Sequence, residues 1–153
     1  MTTTYGTSTG TAAGVGARVA LTLLGAAGLI VGAFMEWTGS IDGTDLDIRA
    51  LWTTNFRTTD TFVASVGFAM IVVGLVAIVG LATGTGWLTR LAGAVAVVGF
   101  ILFAIEVYRS PVDDMIGVGA WVALAGGIVT LIAGFFGPQH TITAPTNTVI
   151  VDE

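Results

Sequence analysis

Three aspartates, Asp42, Asp45 and Asp47, crowd the stretch DGTDLDIRALW, with Gly43 offering a turn between the first two. Carboxylate oxygens this close together can hold a hard cation such as calcium. An EF-hand loop wants ligands at positions 1, 3 and 5, glycine at 6 and glutamate at 12, and this stretch does not keep that order. What remains is a weak candidate cation site. The same acids also read as helix starts. In Thr44-Asp45-Leu46-Asp47 the threonine can accept from the backbone N–H of Asp47, and both acids would lie in a first turn, where negative charge complements the helix dipole. Ser110-Pro111-Val112-Asp113 has the same grammar, and Asp60 or Thr59 can cap the apolar run that follows. Helix starting is the expected role of most of the acids.

A second constellation is Glu36, Glu106 and Arg109, each at the end of an apolar run. Glu106 and Arg109 stand three apart and can pair on a helix. The expectation is an interfacial salt bridge. The sharper reading is a polar vestibule in which Glu106 accepts a proton or cation.

Other chemistry is missing. There is no cysteine, and the one histidine, His140, lies in a polar stretch beside Pro138. No serine sits in G-x-S-x-G, and there is neither a P-loop nor H-E-x-x-H. Glycine-rich stretches such as GVGAWVALAGG have no strand before them, as a dinucleotide fingerprint requires. The expectation is a protein that is not an enzyme and has no cofactor. A net charge of −5, with five arginines and no lysine, excludes a basic patch and with it nucleic acid as a partner.

The elements that must position these groups are set by hydropathy. The 153 residues are 54% hydrophobic and 10% charged, against about 25% charged in a soluble domain, and the mean hydropathy is +0.92. Apolar residues come in four blocks, about 19–35, 61–81, 87–107 and 115–136, each long enough to cross a bilayer as a helix. The expected fold class is all-α, an integral membrane four-helix bundle over residues 18–137. A Thr/Gly-rich tail, 1–17, precedes it and a polar, Thr-rich tail, 138–153, follows; both are expected to be flexible. Four spans put both ends of this stretch on one side. Arg18 directly before the first span places that side in the cytoplasm, giving a multi-pass protein of the cell membrane.

Between spans one and two, Ile48, Leu51, Trp52 and Phe56 recur at helical spacing. The expectation is a short amphipathic helix lying flat on the membrane, which with Trp37 would form a recognition face. Trp37, Trp52 and Tyr108 fit one aromatic belt and Trp87 the other, with Trp121 deeper, and Arg90 can snorkel to its interface. Small residues fill the spans. Gly28 and Gly32 form one close-packing motif, Gly67 and Gly74 share a face, and Gly119, Ala123 and Gly127 form a stripe beside that of Gly126, Thr130 and Gly134. In lipid such residues let backbones approach until dispersion acts. The stripes serve either the bundle itself or an oligomer face.

Span one ends GAFMEWTGSIDGTDLD and span four reads IGVGAWVALAGGIVTLIAGFFG. This pairing, G-x-F-x-x-W with G-x-G-x-W-x-A-L-x-G-G, resembles small four-span membrane proteins of actinobacteria, over about residues 18–137. The resemblance implies a fold and no activity. Trp37 and Leu51-Trp52 are also loosely similar to the first loop of claudin-type proteins, whose paired cysteines are missing here. The functional expectation is a non-catalytic membrane protein acting through contacts with other membrane proteins or itself, as an accessory subunit or self-assembling component. The alternative is a small channel or transporter subunit with its vestibule at Glu36, Glu106 and Arg109.

Overall fold

A computed structural model describes residues 10–110 and 115–136. The chain is mostly helical. Four helices, α1 (Gly10–Ala33), α2 (Val66–Ala82), α3 (Gly86–Arg109) and α4 (Val118–Phe135), carry the apolar blocks. Three of them, over Gly14–Ala33, Gly86–Arg109 and Val118–Phe135, are long and apolar enough to cross a membrane, whereas α2 has 17 residues.

The boundaries depart from the hydropathy blocks for local reasons. Helix α1 is already formed at Gly10, the first described residue, so residues 10–17 of the segment expected to be a flexible tail are helical, and residues 1–9 lie outside the described residues. Helix α2 starts late. Its cap is Ser65, whose Oγ accepts the N–H of Phe68 at 3.1 Å, in place of the expected Asp60 or Thr59. Residues Phe62–Ala64 before it form a 3-10 turn. Helix α4 starts at Val118 because Ile116 is drawn into an isolated β-bridge with Thr38. Ser110 is the C-cap of α3, its N–H on the carbonyl of Val107 at 3.2 Å; Pro111 to Asp113 of its expected helix-start motif lie outside the described residues, as do His140 and the 138–153 tail.

The helices pack in a ring, α1 on α2, α2 on α3, α3 on α4 and α4 back on α1. The directions alternate. Arg18 of α1 and Gly84 after α2 meet at one end of the bundle, and Trp37 after α1 and Gly117 before α4 meet at the other. The turn from α2 to α3 is tight, and Gly84 takes φ +70°, which a side chain would oppose.

Small residues line the closest helix contacts, with Leu29, Val66, Met70, Phe100 and Phe103 buried among them, and many large apolar side chains face outward. Ala26, Ala33, Ala77, Ala92, Ala96, Ala120, Ala123 and Ala133 are buried, while Leu24, Val31, Leu75, Val98, Ile101, Ile105, Ile132 and Phe135 are exposed. A soluble bundle would turn polar side chains to its outer faces instead. Helices α1 and α4 touch backbone to backbone: a methyl on Gly32 would sit 2.7 Å from the nitrogen of Ala123, and one on Gly126 the same distance from the Gly25 carbonyl.

The small-residue stripes therefore pack within the bundle, and both stripes of α4 are divided between two neighbours, Gly134 of the second meeting Arg90 of α3. Gly119 and Ala123 lie against α1, whereas Gly127 meets Ala96 and Val97 of α3. A step of four residues overshoots the 3.6-residue turn, so a long i, i+4 row rotates off any one partner. The α1-facing seam runs 119, 123, 126, 130, as Gly25, Gly28 and Gly32 show by their contacts with Gly119, Ala123, Gly126 and Thr130. Gly74 packs on Ala26 and Ile30 of α1, and Gly67 on Ala33 and the Gly43-Thr44 peptide.

Two arginines cap helices at the chain-end side of the bundle. Arg18 is buried and donates to the carbonyls of Gly80 and Gly84 at 3.3 and 3.2 Å. Arg90 donates through Nε to Gly134 at 2.7 Å, and its guanidinium lies 4.6 Å over the Phe135 ring. Positive groups on C-terminal carbonyls satisfy orphan acceptors and the helix dipole together. Arg90 thus has a partner within the bundle beyond the interface expected for it.

Candidate functional site

The segment between α1 and α2 folds into a cap over one end of the bundle. Strands β1 (Glu36–Thr38) and β2 (Ile41–Asp42) form an antiparallel hairpin, turned at Gly39 with φ +54°. Backbone bonds then tie the cap to three helices. Gly43 N–H donates to Met35, Val66 N–H to Leu46 at 2.9 Å, and Gly117 N–H to Trp37 at 2.6 Å. Thr59 N–H reaches Asp45 at 2.8 Å, and Asp47 N–H reaches Arg57 at 3.0 Å.

Trp37 is the centre of the cap and is fully buried. Its Nε1 donates to the Gly32 carbonyl at 2.8 Å. Its ring meets Phe103 edge-on at 5.2 Å, and Phe103 meets Phe56 at 5.9 Å. Gly43 lies against the indole, where a side chain would stand 2.6 Å from Nε1. The placement of Trp37 in an interfacial belt or on a recognition face is therefore corrected. The last turn of α1 and the hairpin close over it, and its polar N–H is satisfied internally.

The expected amphipathic helix is corrected as well. Only Ile48–Leu51 coil, as a single 3-10 turn. The N-cap is Asp47, whose Oδ1 accepts the N–H of Arg49 at 2.9 Å, and Thr44 does not fill that role. Ile48, Leu51, Trp52 and Phe56 do not share one face. Leu51 and Phe56 pack inward and Trp52 is exposed. Bridges within the cap, Leu46 with Thr58, and to the α2 cap, Asp47 with Ser65, hold this chain extended, which excludes a longer helix.

The aspartates are distributed over separate tasks. The Asp42 carbonyl accepts from Asp45 and Leu46, the Asp45 carbonyl from Thr59, and the Asp47 carboxylate caps. Among the described residues no three His, Cys, Asp or Glu side chains gather as a metal would need, so Asp42, Asp45 and Asp47 do not form the cation site their spacing offered. Glu36 is exposed and Glu106 is buried. Glu106 contacts Arg109 at 3.6 Å, and the arginine side chain is 69% exposed.

Two clefts open at this end. One, of about 280 Å³, is lined by Val107, Tyr108, Met115, Ile116 and Trp121. The other, of about 210 Å³, is lined by Asp47, Arg49, Thr53, Asn55 and Arg57. Neither is lined by Glu36, Glu106 or Arg109. The polar cleft is wired throughout. Thr53 Oγ1 donates to the Arg49 carbonyl at 2.9 Å and Arg57 Nε to Asn55 Oδ1 at 3.0 Å. No spacing in the sequence marks it, since Arg49 and Arg57 come together only because Asp47 pairs with Arg57. The exposed aromatics Trp52, Tyr108, Trp121 and, at the opposite end, Trp87 frame the bundle. No protein-family model matches the chain, and no curated protein or solved structure is significantly similar to it, so the geometry alone carries the functional reading.

Proposed function

We propose that the protein is a non-catalytic membrane component that crosses the bilayer four times, with its chain ends on the cytoplasmic side, and presents the cap for contact with another membrane protein or a second copy of itself. The observation that carries the reading is the outer surface of the helices, where Leu, Val, Ile and Phe are exposed along their lengths while Gly, Ala and Thr line the closest helix contacts. A surface of that kind is stable against lipid tails, and close backbone packing then supplies the cohesion that water would otherwise drive. Helix α2 is about 26 Å long at 1.5 Å per residue, and the exposed Phe62 and Val63 of the turn before it extend its apolar length. The wired cap suits recognition because little of it must be ordered on binding.

Cross-linking in native membrane followed by co-purification tests this. A cross-linked partner or homo-oligomer, lost on Trp52→Ala with the fold intact, is the expected result. Recovery only as a partner-free monomer overturns it.

The second reading, a channel or transporter subunit, is favoured by one observation. Glu106 is a buried carboxylate whose ion pair with Arg109 is a long 3.6 Å. Proton or cation flux into liposomes that falls with Glu106→Gln supports that reading; flux equal in both proteins removes it.

A further inference from the structure

Arg49 and Arg57 line one cleft and, among the described residues, neither pairs with a carboxylate, although five of the ten acids of the chain lie between Glu36 and Asp60. Asp47, in the same cleft, is engaged through Oδ1 with the N–H of Arg49. The cleft therefore holds two permanent positive charges and one negative charge.

One of its two guanidiniums and the backbone that carries the other are held before any ligand arrives. Arg57 is held through Nε by Asn55, which leaves its two terminal nitrogens as a fixed fork. Asn55 accepts through its oxygen, so its NH2 group remains a donor. The turn carrying Arg49 is fixed by the Asp47 cap and by Thr53 Oγ1 on the Arg49 carbonyl. Guanidinium forks match the oxygens of a phosphate group, and Arg57, already oriented by Asn55, loses less freedom on binding than an unheld arginine would.

The cleft also lies at the head of a helix with an apolar outer face. Asp47 is bridged to Ser65, the cap of α2. The turn just before Ser65 exposes Phe62 and Val63, and α2 exposes Val72, Leu75 and Val79 beyond it. A molecule with a phosphate in the cleft and acyl chains along that face would satisfy both surfaces.

We infer that the Arg49/Arg57 cleft binds the phosphate headgroup of an anionic phospholipid. The inference shares the membrane setting of the proposed function but does not depend on a protein partner. The test uses the full chain in detergent, with native mass spectrometry scoring phosphatidylglycerol against phosphatidylcholine and inorganic phosphate as a separate competitor. The wild type retains phosphatidylglycerol preferentially. Arg49→Gln or Arg57→Gln lowers the preference about fivefold and the pair about thirtyfold, at roughly one exposed charge each. Asp60→Asn, which removes an exposed charge outside the cleft, leaves it unchanged. The same headgroup preference in the double variant, or none in the wild type, overturns the inference. Displacement of the lipid by millimolar phosphate, with no discrimination between the two lipids, assigns the cleft to a free anion and overturns the lipid identity. Circular dichroism confirms that each variant is folded, and the single variants decide the matter if the pair is not.

Discussion

The indole N–H of Trp37 donates to the carbonyl of Gly32 at 2.8 Å, so the buried ring of the cap closes the last turn of α1. The carbonyl also accepts the N–H of Met35 at 3.3 Å. Trp37→Phe therefore keeps an aromatic ring against Phe103 and does not leave the acceptor bare, but it loses the bond and part of the filled volume, and it should cost about 1–3 kcal/mol. Trp37→Ala also empties the aromatic cluster and should cost about 3–5 kcal/mol. Unfolding in mild detergent checks both, and equal losses would show that the hydrogen bond, not the ring, holds the cap.

Gly126 and Gly16 make a controlled pair. A methyl on Gly126 would stand 2.7 Å from the Gly25 carbonyl and the Leu29 nitrogen, both backbone atoms, whereas nothing lies within 4 Å at Gly16. Gly126→Ala must push α1 and α4 apart and should cost about 1–3 kcal/mol. Gly16→Ala should be neutral or stabilising by up to about 1 kcal/mol, from helix propensity. Melting temperatures that move in opposite directions are the expected readout.

Arg90 should matter more than the more deeply buried Arg18. Arg90→Met loses a 2.7 Å charge-assisted bond and the stack on Phe135, which together should cost about 1.5–3 kcal/mol. Arg18 makes longer bonds, and its own Nε is buried without a partner among the described residues. Arg18→Met gives up those bonds but relieves a desolvated charge, so its net cost is the smaller. The order of the two melting temperatures tests this.

Asp47→Asn separates capping from charge. Asparagine caps about as well as aspartate, so stability should hold within roughly 0.5 kcal/mol. Removing the one carboxylate of the Arg49/Arg57 cleft should raise its preference for an anionic headgroup about fivefold. A preference that falls would mean that Asp47 itself contacts the ligand.

The helical blocks and the position of the ionisable groups at their ends were legible because both depend on short-range chemistry. An apolar run satisfies its own backbone as a helix, and ionisable groups are excluded from its middle wherever it meets lipid. The density of Gly and Ala in those runs likewise announced close packing. The cap was misread for the opposite reason. Helical spacing at Ile48, Leu51, Trp52 and Phe56 competes with backbone bonds to Arg57, Thr59 and Val66, and those long-range bonds prevail. Trp37 is aromatic at a span end, like Trp87, yet the hairpin and Gly43 bury the first while the second stays 69% exposed.

Composition and hydropathy alone thus determined a helical protein of apolar blocks with polar connections and no catalytic constellation in its motifs. Tertiary contacts decided the rest: which face of each helix meets which neighbour, where Arg18 and Arg90 find acceptors, and how Arg49 and Arg57 come to share a cleft. Propensity and solvent preference act over one or two turns of chain. The partners in these contacts are brought together by the packing of helices, as Arg18 and Gly84 are across 66 residues, and a distance that long leaves no local trace.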